Sequence, residues 1–108
     1  MSTEITQNET ASRFEIIVDG DRVGVALYRD DRSGDRPARS FNHTEIEDDH
    51  EGQGLAGRLV SAALDATRND GFDVLPYCPY VRRYIEGHPE YLDLVPMARR
   101  NDFRLPVG

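Results

Sequence analysis

The sequence predicts an α/β domain in which helices cover a mixed β-sheet, and three observations favour this fold class. The pair Asp19-Gly20 separates two stretches rich in β-branched residues, which is the pattern of a β-hairpin. A glycine-rich stretch, Gly52 to Gly57, separates a third alternating segment from the most regular helical pattern in the chain. A short β-forming stretch follows that helix, and its strand is expected to return parallel by a right-handed crossover. The predicted order is β-β-β-α-β-α.

The first half of the chain supplies the antiparallel strands. Residues 1–12 are polar and without pattern, so we expect a disordered lead-in. The predicted hairpin strands are Phe14–Val18 and Arg22–Tyr28, and the third strand is Ala38–Ile46. The three strands are expected to pair antiparallel in sequence order.

The second half supplies the helices and the parallel strand. Residues 55–68 place one apolar stripe on a helix, made of Leu55, Leu59, Ala62, Ala63 and Ala66 and widened by Val60 and Leu64. Gly71 is a good stop signal for that helix. A short strand is expected at Phe72–Tyr77 and a second helix at Val81–Gly87, with Pro79 in its first turn. A single domain of residues 13–95 is therefore predicted, followed by a C-terminal tail, 96–108, without a usable pattern.

Composition limits the function. A net charge of −7 argues against nucleic acid or an anionic membrane as the main partner, and is compatible with a cationic acceptor molecule. The only cysteine, Cys78, excludes an internal disulfide framework. The chain begins without an apolar signal region and contains no apolar run of membrane-spanning length. We expect a soluble cytoplasmic protein.

The glycine-rich stretch predicts a phosphate-binding turn. A strand, a glycine turn and a helix start bring free backbone N–H groups and the positive end of the helix dipole together. Gly52, Gly54 and Gly57 match the dinucleotide fingerprint G-x-G-x-x-G. A Rossmann unit would also place an acid about 20 residues later, and the region near Tyr77 and Cys78 has none. A dinucleotide-binding domain remains a weaker alternative.

Two other kinds of ligand-binding loop, a Walker loop for phosphate and a calcium loop, are excluded because required residues are missing. A Walker loop needs a Lys and a Ser or Thr directly after its last glycine, and no Gly-Lys-Ser or Gly-Lys-Thr occurs in this stretch. A calcium loop could begin at Glu47 and place Gly52 at its sixth position. Its last position would then be Arg58, a cation where a bidentate carboxylate is required.

The turn resembles the acetyl-CoA loop of the GNAT N-acetyltransferases. The stretch Glu51–Ala56 follows the Arg/Gln-x-x-Gly-x-Gly/Ala motif at its last glycine and alanine. The short YjdJ-like branch of this family is more similar still, because separated blocks agree in order: His43-Thr44-Glu45-Ile46, Gly52-Gln53-Gly54, Cys78-Pro79, Tyr84-Ile85, His88-Pro89-Glu90-Tyr91 and Leu94-Val95. The resemblance implies a GNAT-like fold with acetyl-CoA as cosubstrate. It also implies a set of residues around the pyrophosphate: Gly52, Gln53, Gly54, Leu55, Ala56, Gly57 and Arg58. Glu51 departs from the family, which usually has arginine there, and Arg58 could compensate.

The same resemblance implies a set of catalytic residues. Acetyl transfer requires a neutral amine, so Glu45 is expected as the base and His43 as its polar partner. Cys78 could form a covalent acetyl-cysteine or only line the thioester pocket, and Tyr84 is expected to protonate the departing CoA thiolate. Each residue also has an ordinary structural interpretation: solvated strand positions for His43 and Glu45, a small buried hydrophobe for Cys78, and core packing for Tyr84. Tyr80 is a second candidate for lining the pocket.

The predicted function is acetyl-CoA-dependent transfer of an acetyl group to a primary amine of a peptide, protein or small molecule. The alternative is a non-catalytic CoA-binding module, which Glu51 favours. The three histidines and Cys78 show no metal-ligand spacing, so no metal site is expected. The chain is also shorter than GNAT enzymes whose acceptor side is covered by two N-terminal helices, which predicts an open acceptor side.

Overall fold

The computed structural model describes residues 2–107 and contains one five-stranded sheet with its strands in sequence order. The strands are β1 (Thr3–Asn8), β2 (Arg13–Val18), β3 (Asp21–Asp31), β4 (Ala38–Ile46) and β5 (Asp73–Pro76). The first four strands pair antiparallel, and β5 pairs parallel to β4. The predicted fold class, a mixed α/β sheet with a parallel return strand, is confirmed.

Two α-helices occur in the predicted order, one between β4 and β5 and one after β5. Helix α1 is Leu55–Asn69, and helix α2 is Pro79–Gly87 with Pro79 in its first turn. Three 3₁₀ segments, Asp48–His50, Pro89–Leu94 and Met97–Phe103, connect or follow them. Within residues 2–107, no helix has both the length and the apolar content needed to span a bilayer.

The hairpin between β2 and β3 forms at the predicted pair. Asp19 and Gly20 both have positive φ, 50° and 88°, as a two-residue type I′ turn requires. The turn matches the right-handed twist of the strands it joins, and so fixes their antiparallel pairing early in the chain.

The prediction of a disordered lead-in is wrong for the described residues before Arg13. All six residues of β1 pair with β2, and Ile5 lies opposite Ile16 and packs against the core. The segment has no strong periodicity of its own, because Ile5 is its only large apolar residue. Pairing with a strand already in place supplies the order that the local sequence does not predict.

The C-terminal segment is also part of the folded body. Met97–Phe103 forms a 3₁₀ segment, and Phe103 and Leu105 are buried in the core cluster. The ring of Phe103 meets that of Tyr77 edge-on, with 5.1 Å between the centroids. The prediction of a tail outside the domain is therefore wrong for residues 96–107, and Gly108 lies outside the described residues.

Both helices cover one face of the sheet. The buried side of α1 is made of Leu55, Leu59, Val60, Ala63, Leu64 and Thr67. Ala62 and Ala66, which the sequence placed in the apolar stripe, are half-buried, so the buried side is rotated toward Val60 and Leu64. The other face of the sheet ranges from half-buried to exposed, with Val25 and Leu27 of β3 half-buried there.

Candidate active site

The site begins where the pairing between β4 and β5 ends. Strand β4 pairs with β3 from Ala38 to Ile46, but with β5 only from Ala38 to Phe41. The Cys78 N–H donates to the Phe41 carbonyl at 2.8 Å, and the chain then turns into α2. Beyond Phe41, no strand in residues 2–107 pairs with β4 on this side. A gap therefore opens along the second half of β4.

A cavity of about 360 Å³ occupies the open end of this gap. Its walls are Thr44 and Ile46 of β4, Tyr80 of α2, and most of the turn from His50 to Gly57. The cavity thus joins the free side of β4 to the start of α1. An elongated ligand with an anionic group fits this arrangement, because the group could lie at the helix end while the rest follows the strand.

The glycine turn has the backbone geometry of a close-approach loop. Gly52 and Gly54 have φ values of 80° and 74°, and a Cβ at either position would meet no atom within 4 Å. The glycines are therefore required by the left-handed backbone and leave the turn open above. Gly54 is the N-cap of α1 and provides no side-chain cap, so the first N–H groups of α1 have no side-chain acceptor there. The structure thus forms a glycine turn with open backbone N–H groups at the start of α1, and phosphate binding by this turn stays a prediction.

The charges around the turn are unusual for an anion site. Glu51 lines the cavity, and Asp48 and Asp49 precede it in the 3₁₀ segment. Arg58 lies outside this cavity, on a groove along the other side of the α1 start, so it does not offset Glu51 directly. His50 also lines the cavity, and its Nδ1 atom is buried with no hydrogen-bond partner among the described residues. The sequence analysis gave neither residue a role: Ile46 appeared only as the last residue of the block His43–Ile46, and His50 belongs to no recognisable binding motif.

Cys78 lies beside the cavity wall. It is the N-cap of α2, its side chain is buried, and its Sγ is 3.6 Å from the Thr44 Oγ1. Thr44 faces the cavity directly. The structure therefore brings Cys78 together with Thr44, a residue that the sequence analysis placed near the acetyl-transfer site without giving it a role.

His43 and Glu45 lie on the opposite face of the sheet from Thr44. They stand across from Leu27 and Val25 on β3, and their side chains are 57% and 69% exposed. Their Nε2 and Oε2 atoms are 3.5 Å apart. The expectation that they face the same pocket as Cys78 is not met.

A β-bulge in β4 separates the two pairs. Tyr28 of β3 pairs with Phe41, and Leu27, the residue before Tyr28, pairs with His43. Asn42 therefore has no partner on β3 and is the extra residue of the bulge. Without the bulge, strict alternation from the buried Phe41 would turn His43 and Glu45 toward the helices. The extra residue reverses the alternation and turns Thr44 and Ile46 toward the cavity instead.

The two tyrosines of α2 lie in different places. Tyr80 lines the cavity, and its pKa is raised by burial, with a smaller contribution from Tyr84. Tyr84 borders the groove on the other side of the α1 start, where its ring stacks on that of His88. Among the expected catalytic residues, Tyr84 thus does not line the cavity, and Tyr80 is the tyrosine that does. A Cβ at Gly57, which lines the cavity, would lie 3.7 Å from both the Tyr84 ring and the Tyr80 hydroxyl.

No group of three or more His, Cys, Asp or Glu side chains within residues 2–107 could hold a metal ion. The ionisable residues near the gap instead occur as the pair His43–Glu45 and as single residues around the cavity. The arrangement can hold an anionic ligand and offers groups for proton transfer.

A protein-family model and two curated proteins are similar to this chain in sequence. Residues 13–94 match the family model for the GCN5-related N-acetyl-transferase. Protein NATD1 from Homo sapiens and from Mus musculus are each 34% identical over 55 residues, which is 49% of this chain and 49% and 50% of theirs. The chain thus spans about half the length of these curated relatives.

Two solved structures share the fold. A GCN5-like protein from Staphylococcus aureus has a TM-score of 0.63 at 22% identity, over 85% of this chain and 86% of that one. The ribosomal-protein-alanine N-acetyltransferase from Brucella melitensis biovar Abortus has a TM-score of 0.56 at 22% identity, over 77% and 60%. The narrower resemblance to the YjdJ-like branch stays a prediction. Since the family model covers most of the chain, this protein belongs to the GCN5-related N-acetyltransferase family.

Proposed function

We propose that this protein is an acetyl-CoA-dependent N-acetyltransferase that acts on a primary amine. The observation that carries the proposal is the cavity between the unpaired half of β4 and the glycine turn. It combines an anion-binding helix start with a free strand edge, which are complementary to a pyrophosphate and to an extended arm containing amide groups.

In this proposal the pyrophosphate lies over residues 52–57 and the pantetheine arm follows β4. The free backbone groups of β4 beyond Phe41 bond the amides of the arm, as an added strand would. The thioester then lies near Thr44 and Cys78. The turn acts through backbone N–H groups, so it can hold the pyrophosphate although Glu51 replaces the usual arginine.

The amine is proposed to arrive from the opposite face of the sheet, where His43 and Glu45 are exposed. The proposal requires that the gap beside β4 connect that face with the cavity, so that a base and a thioester on different faces act on one reaction. Glu45 takes a proton from the ammonium form of the acceptor, and His43 positions the carboxylate. The neutral amine attacks the thioester carbonyl directly, and free N–H groups of β4 stabilise the oxyanion. The C–S bond then breaks to release the thiolate, and the nitrogen loses its remaining extra proton to water to give the neutral amide.

The departing thiolate requires a proton. Tyr80 is assigned this role in place of Tyr84 because Tyr80 lines the cavity. A tyrosine hydroxyl is protonated at neutral pH, and burial raises the pKa of Tyr80 further. Cys78 is assigned to the wall of the thioester pocket, since it is buried and contacts Thr44. Direct attack then needs no acetyl-cysteine.

The acceptor is proposed to be a cationic amine of a peptide, a protein or a small molecule. Glu45 and Glu47 line a separate cavity of about 210 Å³ on the acceptor face, where they outnumber the one cation, Arg22, which also pairs with Glu15 at 3.6 Å, and the chain has a net charge of −7. Both features favour a positively charged substrate through long-range attraction. The exposed face leaves room for a large acceptor.

The second candidate is a CoA-binding module without transferase activity. Glu51 in the cavity favours it, as does the position of Glu45 on the other face from Thr44. A dinucleotide-binding domain is the third candidate and predicts binding of NAD without binding of CoA.

Calorimetric titration with acetyl-CoA, CoA and NAD tests the ligand class. Gly54→Val strains a left-handed position in the turn and covers the N–H groups above it. Gly71→Val is the matched control, because Gly71 also has a positive φ, 76°, and open space but lies at the other end of α1. We expect saturable binding of acetyl-CoA that Gly54→Val abolishes and Gly71→Val retains. Absence of acetyl-CoA binding at high concentration would remove both the enzyme and the CoA module, and NAD binding alone would favour the third candidate.

A further inference from the structure

One polar side chain of the β4 cavity, the hydroxyl of Thr44, has no role in the reaction proposed above. Thr44 lies on β4 beyond Phe41, where the pairing with β5 has ended. Its side chain is half-buried and lines the cavity. A hydroxyl in this position can contact a ligand that follows the free side of β4.

The oxygen of this hydroxyl already accepts a hydrogen bond from the chain. The Cys78 thiol donates to it, with 3.6 Å between Sγ and Oγ1. Within residues 2–107, this is the only side-chain hydrogen bond of Thr44. Sulfur is a weak acceptor, so the hydroxyl hydrogen is better used by an oxygen acceptor elsewhere. The Thr44 O–H group is therefore available as a donor to a ligand in the cavity.

Both members of this pair are held in fixed positions. The Cys78 N–H donates to the Phe41 carbonyl at 2.8 Å, and the Cys78 carbonyl accepts from the Arg82 N–H at 3.0 Å. The Cys78 side chain is buried. Thr44 is β-branched, which restricts its χ1 angle. The hydroxyl is thus oriented before a ligand binds, and such a donor needs little reorganisation during a reaction.

From these contacts we infer that Thr44 is a catalytic residue whose hydroxyl donates a hydrogen bond to the thioester oxygen, and that Cys78 is its positioning residue. The inference rests on the proposed function, in which the thioester lies near both side chains. As the amine nitrogen forms its bond to the carbonyl carbon, the π electron pair moves to the oxygen, which becomes an oxyanion. The Thr44 O–H group stabilises this charge without giving up its proton. The carbonyl re-forms when the C–S bond breaks and its electron pair leaves with sulfur.

The first test separates the hydroxyl from the shape of the side chain. Thr44→Val keeps the β-branched shape without the hydroxyl, and Thr44→Ser keeps the hydroxyl. With a lysine-containing peptide as acceptor, we expect kcat to fall about 100-fold in Thr44→Val, as for loss of one oxyanion donor, and less than about threefold in Thr44→Ser. Calorimetric dissociation constants of acetyl-CoA and CoA should stay within about twofold, because the bond strengthens only as charge develops.

Thr6→Val is the matched control for this substitution. It makes the same chemical change on β1, where Thr6 lies opposite Glu15, and should leave kcat unchanged. If Thr44→Val retains kcat, or if Thr44→Ser loses as much as Thr44→Val, the inference is overturned while the proposed function stands. Weaker binding of both ligands with unchanged kcat would show that Thr44 only lines the cavity, and would also overturn it.

A double-mutant cycle tests the role of Cys78. Cys78→Ala leaves the Thr44 hydroxyl free to turn, and we expect kcat to fall about fivefold in the native background, within the range for residues in contact. The same substitution should have no further effect in Thr44→Val, because the group that Cys78 positions is then absent. Equal losses in both backgrounds would overturn the positioning role. Complete loss of activity in Cys78→Ala would do so too, since it would indicate a cysteine nucleophile.

Infrared spectroscopy tests the hydrogen bond without requiring turnover. Acetyl-CoA isotope-labelled at the acetyl carbonyl gives a stretching band that shifts to lower frequency when its oxygen accepts a hydrogen bond. We expect a lower frequency in the native chain and in Thr44→Ser than in Thr44→Val. Equal frequencies in all three would overturn the inference even for a chain that binds acetyl-CoA and acetylates no amine. If acetyl-CoA does not bind the native chain, the proposed function and the inference fail together.

Discussion

The two halves of β4 are used in opposite ways. From Ala38 to Phe41 the strand has neighbours on both sides, β3 and β5. From His43 to Ile46 it pairs with β3 alone, and its other side borders the cavity. One continuous strand therefore has a closed half, which is part of the core, and an open half, which is part of the candidate site.

The closed half contains a buried charge with all its partners supplied by the chain. The Arg39 side chain is only 3% exposed, and its Nε and Nη2 donate to Asp30 at 2.8 and 3.1 Å. Its Nη1 donates to Thr67 at 3.2 Å and to Asp70 at 3.4 Å. Burial alone would lower the pKa of Arg39, but the hydrogen bonds and charge of Asp30 outweigh it and raise the pKa.

The aromatic rings around Arg39 complete its surroundings. Its guanidinium carbon lies 4.6 Å from two ring centroids, that of Tyr28 on β3 and that of Phe72 directly before β5. The cation therefore links β3, β4 and the start of β5 through contacts that need its flat shape. A lysine or an apolar residue could not satisfy both acids and both rings.

In and beside the open half, polar groups have few partners among the described residues. Glu45 is mostly exposed and pairs only with His43, the Nδ1 of His50 has no partner there, and the turn N–H groups have no side-chain cap. This contrast shows how a chain of 108 residues can hold a site: one half of a strand is fixed by a satisfied network, so that the other can remain open.

The largest effect of a substitution is expected in the closed half of β4, on the free energy of unfolding. Arg39→Met leaves Asp30 and Asp70 without their cation, and we expect the free energy of unfolding to fall by about 3 kcal/mol, the lower end for breaking a buried ion pair because both acids are partly exposed. Urea denaturation followed by circular dichroism measures this change. Arg29→Met, at an exposed position on β3, should change it by less than about 0.5 kcal/mol.

The comparison also predicts what Arg39→Met does not change. Acetyl-CoA binding by the folded variant should match that of the native chain, because Arg39 lies at the other end of β4 from the glycine turn. A variant of unaltered stability would show that the network around Arg39 contributes no net free energy. A folded variant with lost binding would show that the halves are coupled.

A slightly smaller free-energy effect is expected in the open half of β4, where a substitution should lower the rate of amine acetylation and leave ligand binding unchanged. Glu45→Gln removes the proposed base, and kcat/KM for amine acetylation should fall about 100-fold, or about 2.7 kcal/mol, at neutral pH. Thioester loss measures the rate, and calorimetry should give an unchanged dissociation constant for acetyl-CoA. Glu4→Gln, an exposed acid on β1, is the matched control. If Glu45→Gln keeps full activity, Glu45 is not the base.

Much of the fold around β4 could be predicted from local sequence. The Asp19-Gly20 pair predicts the hairpin, alternation predicts the bounds of β4, and Gly54 predicts the start of α1. Each of these signals acts over only a few residues. The order of β1 and of Met97–Phe103 could not be predicted in this way. Those segments have weak patterns, and their order comes from pairing with β2 and from burial of Phe103.

The glycine turn of the site could be predicted, but the direction of the side chains around it could not. The family resemblance placed His43 and Glu45 in one catalytic set with Cys78, and strict alternation from Phe41 would have turned them to the same side. The bulge at Asn42 reverses that alternation and places Thr44 in the cavity. No glycine or other local signal marks this bulge, because it is set by the register between β3 and β4.

The smallest effect is expected at Glu51, where the open half departs from its family. Glu51→Arg replaces an acid in the cavity wall with a cation, and we expect acetyl-CoA to bind about fivefold more tightly at low salt, corresponding to about 1 kcal/mol. The gain should shrink at high ionic strength, since an exposed charge is screened. Glu9→Arg makes the same change in net charge at an exposed turn between β1 and β2 and should have no effect. If Glu51→Arg also has none, the turn holds its ligand through backbone N–H groups alone. The open half would then depend on the left-handed glycines in the same way that the closed half depends on Arg39.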